Sequence, residues 1–354
     1  MPLFQQPFMS GGFPSMNRAA GAVGGWVELG RTTLGSNTDP ITVSSLADKR
    51  YYMILTDINS YTSGVNADCN FRLNNDSGSN YADRRAIDGS EGTQTSQTQN
   101  DVVTIGNDLD YFSVGYLANR SANEKLGYLH ACDNGTLGAG TAPRRTELAH
   151  KWANTSNPFS RIDWVCDTSS GTYASGSECV VLGWDEADTH TNNFWEELAS
   201  VELGSAASSI DSGTFTAKKY LWVQLWKKGS GTANDQHLRF NGDTGTNYSS
   251  RQSVNGAADG TVTSSAIAFG RPVYSHGDEG FFNCFIINNT SNEKLGIWHH
   301  IIPETAGAGT APVRSEGVSK WANTSNQITQ IECIDAGGGN DFGIGTIIKV
   351  WGAD

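Results

Sequence analysis

Proline is scarce in this chain, nine in 354 residues, so little interrupts extended backbone. Long apolar runs are missing as well. No stretch approaches the roughly 18 residues of a membrane-spanning helix, and residues 1–25 lack both the basic start and the continuous apolar centre of a secretory signal. The expectation is a chain with no membrane partner and no ordinary export route. Basic residues are outnumbered, 24 Lys and Arg against 37 Asp and Glu, for a formal charge of −13. That balance argues against a general nucleic-acid binder, which needs a basic face to displace counterions from phosphate.

Cysteine is also sparse. The six, Cys69, Cys132, Cys166, Cys179, Cys284 and Cys333, form no CxxC pair and have no zinc-type spacing. They are expected to be free and mostly buried, with Cys166 and Cys179 as a possible local bridge. Catalytic signatures are missing too: no HExxH, GxSxG or Walker pattern occurs. His130 aligns with His299, with His300 beside it, and these read as strand residues with satisfied rings. An enzyme would gain ground only if His130 and His299, or a carboxylate pair, faced a shared cleft. Asp185, Glu186, Asp188 and His190 have metal-ligand chemistry but also the composition of a solvated linker. Asp76 and Asp243 sit in Asn/Asp/Gly turns without the spacing of a calcium loop. The expectation is therefore no cofactor, no metal and no catalysis.

What the chain does contain is itself, twice. Lys151–Asn157 (KWANTSN) recurs at Lys320–Asn326, Gly138–Pro143 (GAGTAP) at Gly307–Pro312, and Asn123–Gly127 (NEKLG) at Asn292–Gly296, all displaced by 169 positions. The chain therefore carries two copies of one module, each of ordinary domain size. The boundaries read as an N-terminal arm at 1–25, copy one at 26–185, a short polar linker at 186–193 and copy two at 194–354. Trp26 and Trp195 open the copies, and Lys49-Arg50-Tyr51 and Lys218-Lys219-Tyr220 each open an apolar run.

Abundant Gly, Ser, Thr and Asn, with short alternating segments, predict an all-β chain. In Tyr220–Trp226, Leu221, Val223 and Leu225 alternate with Trp222, Gln224 and Trp226, apolar on both faces as in a strand between two layers. The turns NDSGSNY at Asn75–Tyr81 and GDTGTNY at Gly242–Tyr248 supply hairpin chemistry. The fold expected is two tandem β-sandwiches, jelly-roll-like, each with one short helix. The helix falls on Arg144–Trp152, where a Pro precedes and Glu147 and Lys151 stand four apart.

Trp152 and Trp321 are expected to plug one edge of each sandwich, with Asn154 and Asn323 capping the helix. The alternative for KWANTSN and GAGTAP is a surface used once per copy. Trp222, Trp226 and Trp298, which lack Trp counterparts in copy one, are the candidates for stacking on sugar rings. The arm mixes Gly, Pro, Met and Phe without period and cannot hold itself. Leu3, Phe4, Phe8 and Phe13 are its apolar anchors, suited to docking on a neighbouring subunit.

The string LRFNGDTGTNYSSR (Leu238–Arg251), the block KWANTSNQITQIE (Lys320–Glu332) and the run SECVVLGWDEADTH (Ser177–His190) resemble structural proteins of tailed phages and related viruses built from tandem β-sandwich modules. The resemblance covers both copies but not the arm, and carries over no active-site residue. It implies a place on the exterior of a virus particle assembled in the host cytoplasm. The role implied is a capsid decoration or cement protein contacting capsid protein and copies of itself as a homo-oligomer. A carbohydrate-binding tail-fibre or adhesin module and a double jelly-roll capsid subunit are the alternatives.

Overall fold

A computed structural model describes residues 25–62, 67–105, 109–166, 171–185, 188, 193–229, 236–269, 279–303, 307–337 and 342–354. Leu3, Phe4, Phe8 and Phe13 of the arm, with Glu186 and His190 of the linker, lie outside them. Copy one forms β1 (Val27–Thr33), β2 (Ile41–Val43), β3 (Tyr51–Ile58), β4 (Tyr61–Thr62), β5 (Ala67–Leu73), β6 (Tyr81–Ile87), β7 (Ser90–Gln97), β8 (Asn100–Ile105), β9 (Tyr111–Ala118), β10 (Lys125–Asp133), β11 (Arg144–Trp152), β12 (Ile162–Cys166), β13 (Thr172–Tyr173) and β14 (Glu178–Trp184). Copy two forms β15 (Glu196–Glu202), β16 (Ser209–Asp211), β17 (Tyr220–Lys227), β18 (Gln236–Phe240), β19 (Tyr248–Val254), β20 (Gly260–Ser264), β21 (Ile267–Ala268), β22 (Gly280–Ile287), β23 (Lys294–Ile302), β24 (Val313–Trp321), β25 (Ile331–Asp335) and β26 (Ile347–Ala353).

The two copies have one topology. The large sheet of copy one runs β1-β14-β3-β9-β10-β11-β6-β7, and that of copy two runs β15-β26-β17-β22-β23-β24-β19-β20. The small sheets run β2-β12-β5-β8 and β16-β25-β18-β21, and β4 with β13 makes a further two-stranded sheet in copy one. Each copy is thus a sandwich of eight strands against four. The two tandem β-sandwiches expected from the sequence are therefore present.

The described residues contain no helix. The expected helix at Arg144–Trp152 is β11, paired along its whole length with β10 and along most of it with β6. The reason lies in its alternation: Thr146, Leu148, His150 and Trp152 are all buried, and Leu148 and Trp152 belong to the core. A helix would scatter those four side chains around its axis. Lys151 reaches Glu124 on the neighbouring turn, at 3.3 Å, rather than Glu147. Asn154 and Asn323 accordingly cap no helix. Each closes a turn after its strand, accepting at 2.9 Å from the backbone N–H groups two and three residues on.

The repeated motifs converge on one lock per copy. Trp152 is fully buried and donates its indole N–H to Asp76 at 2.8 Å, and Trp321 does the same with Asp243. The same carboxylates accept from the backbone of Gly78 or Gly245 and from the side chain of Asn80 or Asn247. Lys125 and Lys294 lie over the indole faces at 5.7 and 5.9 Å. Their ammonium groups donate to the carbonyls of Asn154 and Asn323 at 2.9 and 2.7 Å. NEKLG, KWANTSN and the turn before each Tyr therefore hold one corner together. Burial alone would raise the Asp76 and Asp243 pKa values, but these hydrogen bonds outweigh it and hold both below the ordinary carboxylate value. Carboxylates so fully engaged by N–H donors are structural rather than open calcium ligands.

Three apolar layers result. One lies inside each sandwich, and a third joins the outer faces of the two large sheets. In β3, Tyr52, Ile54 and Ile58 point into the first core while Met53 and Leu55 point into the seam. In β17, Leu221, Val223 and Leu225 fill the second core, with Tyr220 and Trp222 at the seam. The sheets stack four, eight, eight and four. Five cysteines are buried and Cys166 is half-buried; all six are free, and the possible Cys166–Cys179 bridge is not formed.

Asp243→Ala removes the hydrogen bonds from Gly245, Asn247 and Trp321 and leaves a buried indole N–H unpaired. It should lower unfolding free energy by about 1–3 kcal/mol in a urea titration. Asp76→Ala should do the same, and a loss below about 0.5 kcal/mol in both would show the lock to be incidental.

Candidate metal centre at the seam

The seam is apolar at its middle and charged around its rim. Lys219 pairs with Asp57 at 3.0 Å and Glu178 at 3.1 Å, and the Tyr220 hydroxyl donates to Glu178 at 2.8 Å. Lys320 is wholly buried and donates to the carbonyls of Asn134 and Thr136 at 2.8 and 2.6 Å. Arg145 makes a two-pronged bond to Asp259 at 2.7 and 3.3 Å.

Within this rim, His130 of β10 faces His299 of β23. The rings are 4.7 Å apart between centroids and tilted by 36°. Glu147 of β11 lies beside them, and one ligand-type atom from each of the three falls within 4.8 Å of the others. The repeat contributes Glu316 from β24 to the same small cavity, of about 10 Å³. Arg145 bonds Glu147 at 2.6 Å and Arg314 bonds Glu316 at 2.8 Å, so each copy brings one imidazole, one carboxylate and one guanidinium.

Both imidazoles are held neutral. Burial pushes the His130 pKa down to about 3, helped by His299 and Arg145. Burial pushes His299 down to about 4, helped by Arg145 and Arg314. Neutral imidazole is the ligating form, and two imidazoles with one carboxylate make a zinc-type donor set with a fourth position open. Arg145 competes for the carboxylate, which sets the limit on such a site. The histidines do face a shared space, the circumstance under which an enzyme would gain ground; at about 10 Å³ it is the size of one water or one ion.

The other sequence candidates are distributed differently. Trp195 is buried in the seam and Trp26 is half-buried, edge-on to Tyr116 at 6.3 Å. Asp188 is engaged by Lys49. The three proposed sugar-stacking tryptophans do not form one platform. Trp226 is exposed, Trp222 is half-buried and stacked on Phe285 at 5.4 Å, and Trp298 is wholly buried in the second core. Trp298 fits because Gly317 faces it across the strands; a Cβ on Gly317 would lie 2.3 Å from the indole. Copy one places Leu129 and Leu148 at the matching positions, so the large-and-small pair replaces two medium residues.

A hollow of about 490 Å³ that sequence reasoning did not single out lies on copy one, lined by Trp26, Tyr51, Tyr116, Tyr128 and Trp184 among others. Tyr116 stacks on Tyr128 at 4.9 Å and Tyr51 on Trp184 at 5.4 Å. Its signal was the second apolar face of β3, β9, β10 and β14, visible in the alternation of those strands.

No family model and no curated protein matches this sequence. Among solved structures, domains LG4-5 of the mouse laminin alpha1 chain are 10% identical over 92% of this chain and 89% of that one, with a TM-score of 0.20. The mavirus major capsid protein is 8% identical over 99% and 92%, with a TM-score of 0.15. Scores this low carry no argument, and the sandwich architecture stands on the strand topology itself.

His130 and His299 are neutral in the fold but titrate near 6.5 once unfolded. The unfolded chain therefore takes up more protons between about pH 4 and 6.5, and stability is complete above that window and falls within it. At pH 4.5 the loss should be on the order of 2 kcal/mol per imidazole. His150 and His300, lowered to about 4 by burial, add losses of the same sign. Asp110 and Asp133, raised by burial to about 7 and about 6, act in the opposite sense. Urea midpoints at pH 7 and 4.5 should show that H130Q/H299Q removes about half of the histidine-dependent acid loss; an unchanged slope would mean the rings are not held neutral.

Proposed function

We propose that this chain is a non-enzymatic structural protein of a virus particle, a decoration or cement protein attached to the outside of a capsid. The observation that carries the reading is the seam: two copies of one sandwich, fused face to face through a continuous apolar layer, make a rigid block rather than a pair of independently moving modules. Such a block suits a part whose work is to sit in a lattice and sum modest contacts. The resemblance to phage structural proteins points the same way. So does the chemistry of the repeats, since KWANTSN and NEKLG are engaged in structural locks. Residues 1–25, with Leu3, Phe4, Phe8 and Phe13, supply the clasp to neighbouring capsid subunits in this reading.

A carbohydrate-binding module of a tail fibre or adhesin is the second reading, favoured by the aromatic hollow at Tyr51, Tyr128 and Trp184. Those residues replace Trp222, Trp226 and Trp298 as its candidates.

Immunogold microscopy of purified particles, with antibody to copy two, separates the readings. Label over the head is expected. Label at a tail tip would favour the glycan module, and no label on any particle, with a denatured control showing that the antibody recognises the protein, would overturn the virion reading.

A further inference from the structure

The seam joins unlike halves of equivalent faces. Leu295 of copy two is 0% exposed within it, while its twin Leu126 in copy one is 57% exposed. Tyr220 and Ile297 are buried there too, and their twins Tyr51 and Tyr128 are exposed. The converse holds for the other half. Phe112 and Cys132 of copy one are buried in the seam, while their twins Phe281 and Ile301 in copy two stand 41% and 46% exposed. An isologous contact would bury the same residues in both copies. Twins meet at its middle, where His130 faces His299, but away from there the contact is heterologous, and among the described residues it leaves one half-face uncovered in each copy.

The polar contacts divide in the same way. In the seam, the GAGTAP loop of copy one lies on copy two: the Gly138 N–H donates to Glu293 at 2.6 Å, Ser249 donates to the Thr141 carbonyl at 3.2 Å and Arg251 to the Pro143 carbonyl at 3.0 Å. The receiving pair Lys320–Glu293 is buried. The identical loop at Gly307–Pro312 is exposed throughout, and the twin pair Lys151–Glu124 is exposed at 3.3 Å. Arg84, the counterpart of Arg251, is also exposed. Asp110, which accepts from Asn292 across the seam, has its twin in exposed Glu279, and Asn292 has its twin in exposed Asn123. Loop, receptor pair and apolar contacts are thus all present a second time, without an occupant among the described residues.

We propose that this chain assembles head to tail with further copies of itself. The free half-face of copy two, formed by Phe281, Ile301 and the Gly307–Pro312 loop, docks on Tyr51, Leu126, Tyr128 and the Lys151–Glu124 pair of the next chain. The contact between chains repeats the seam within each chain. The Lys219 site differs in chemistry: Asp57 and Glu178, which take Lys219 in the seam, are Trp226 and Ile347 in copy two, and the twin of Lys219 is Arg50, a cation suited to an aromatic face. A heterologous contact extends as a row or closes as a ring, depending on its rotation. The inference deepens the building-block reading and rests on it only for the use to which the array is put.

Sedimentation and light scattering on the purified full chain test it across a range of micromolar concentrations. The wild type should exceed the monomer mass of 37.9 kDa in a concentration-dependent way. Tyr128→Arg and Phe281→Arg, each blocking one half-face, should each be monomeric alone. Mixed, they should form a 1:1 dimer and nothing larger, because each keeps the half-face that the other has lost. Y128R/F281R should stay monomeric in every mixture. Leu126→Glu and Ile301→Glu form a second pair should either arginine variant fail to fold by circular dichroism. A monomeric wild type overturns the proposal, as does a mixture that forms no dimer. Assembly appearing only after removal of residues 1–24 also overturns it, by showing that the arm occupies the half-face. Binding of a soluble glycan by a wild type that stays monomeric would assign the hollow to sugars instead. Failure here would leave the particle-labelling result standing, since no particle enters this experiment.

Discussion

An eight-stranded sheet that is apolar on both faces cannot rest against a single partner, and the rest of this structure follows from that requirement. The inner face of each large sheet is covered by a four-stranded sheet, which completes a sandwich. The outer face still carries Met53, Leu55, Phe112 and Val114 in one copy and Tyr220, Phe285, Ile287 and Leu295 in the other. Left in water, patches of that size would be an aggregation hazard. Packing one on the other buries these residues and converts two modules into a single four-layer block.

The same requirement explains why the repeat is so unevenly retained. Residues of the lock are identical or near-identical in the two copies, because the Trp–Asp bond and the Lys over the indole do the same work in each. Core positions vary in compensating pairs, as with Leu129 and Leu148 against Trp298 and Gly317. Outer-face positions diverge most in context. Tyr128 and Ile297 occupy the same place in the sheet, yet one is open to water and the other lies in the seam. Sequence duplication set up equivalent surfaces, and the offset docking gave them unequal surroundings.

The histidine pair joins the two copies across this offset. Each ring comes from an equivalent strand, β10 or β23, and each is followed on the next strand by a carboxylate from β11 or β24. Burial keeps the rings uncharged, and Arg145 and Arg314 pair with the carboxylates beside them. The arrangement has the chemistry of a small-ion site and the dimensions of a packing contact.

Much of this was legible in the letters. The displacement of 169 positions determined two equivalent modules, and short alternating segments with Asn/Asp/Gly turns determined that they are β-rich, because a period of two has only one regular backbone. The two-faced pattern of Tyr220–Trp226 already required a layer on each side. Arg144–Trp152 was misread because an acid and a base four apart satisfy a helix, while the strand pairing that overrides it comes from residues distant in sequence. Alignment alone matched His130 with His299, but nothing local says that the rings touch, since their meeting depends on how far one sheet slides along the other. That slide was decided by tertiary packing: side-chain shape across the whole seam selects the register. It also determines which half of each face is buried and which is left to meet another molecule.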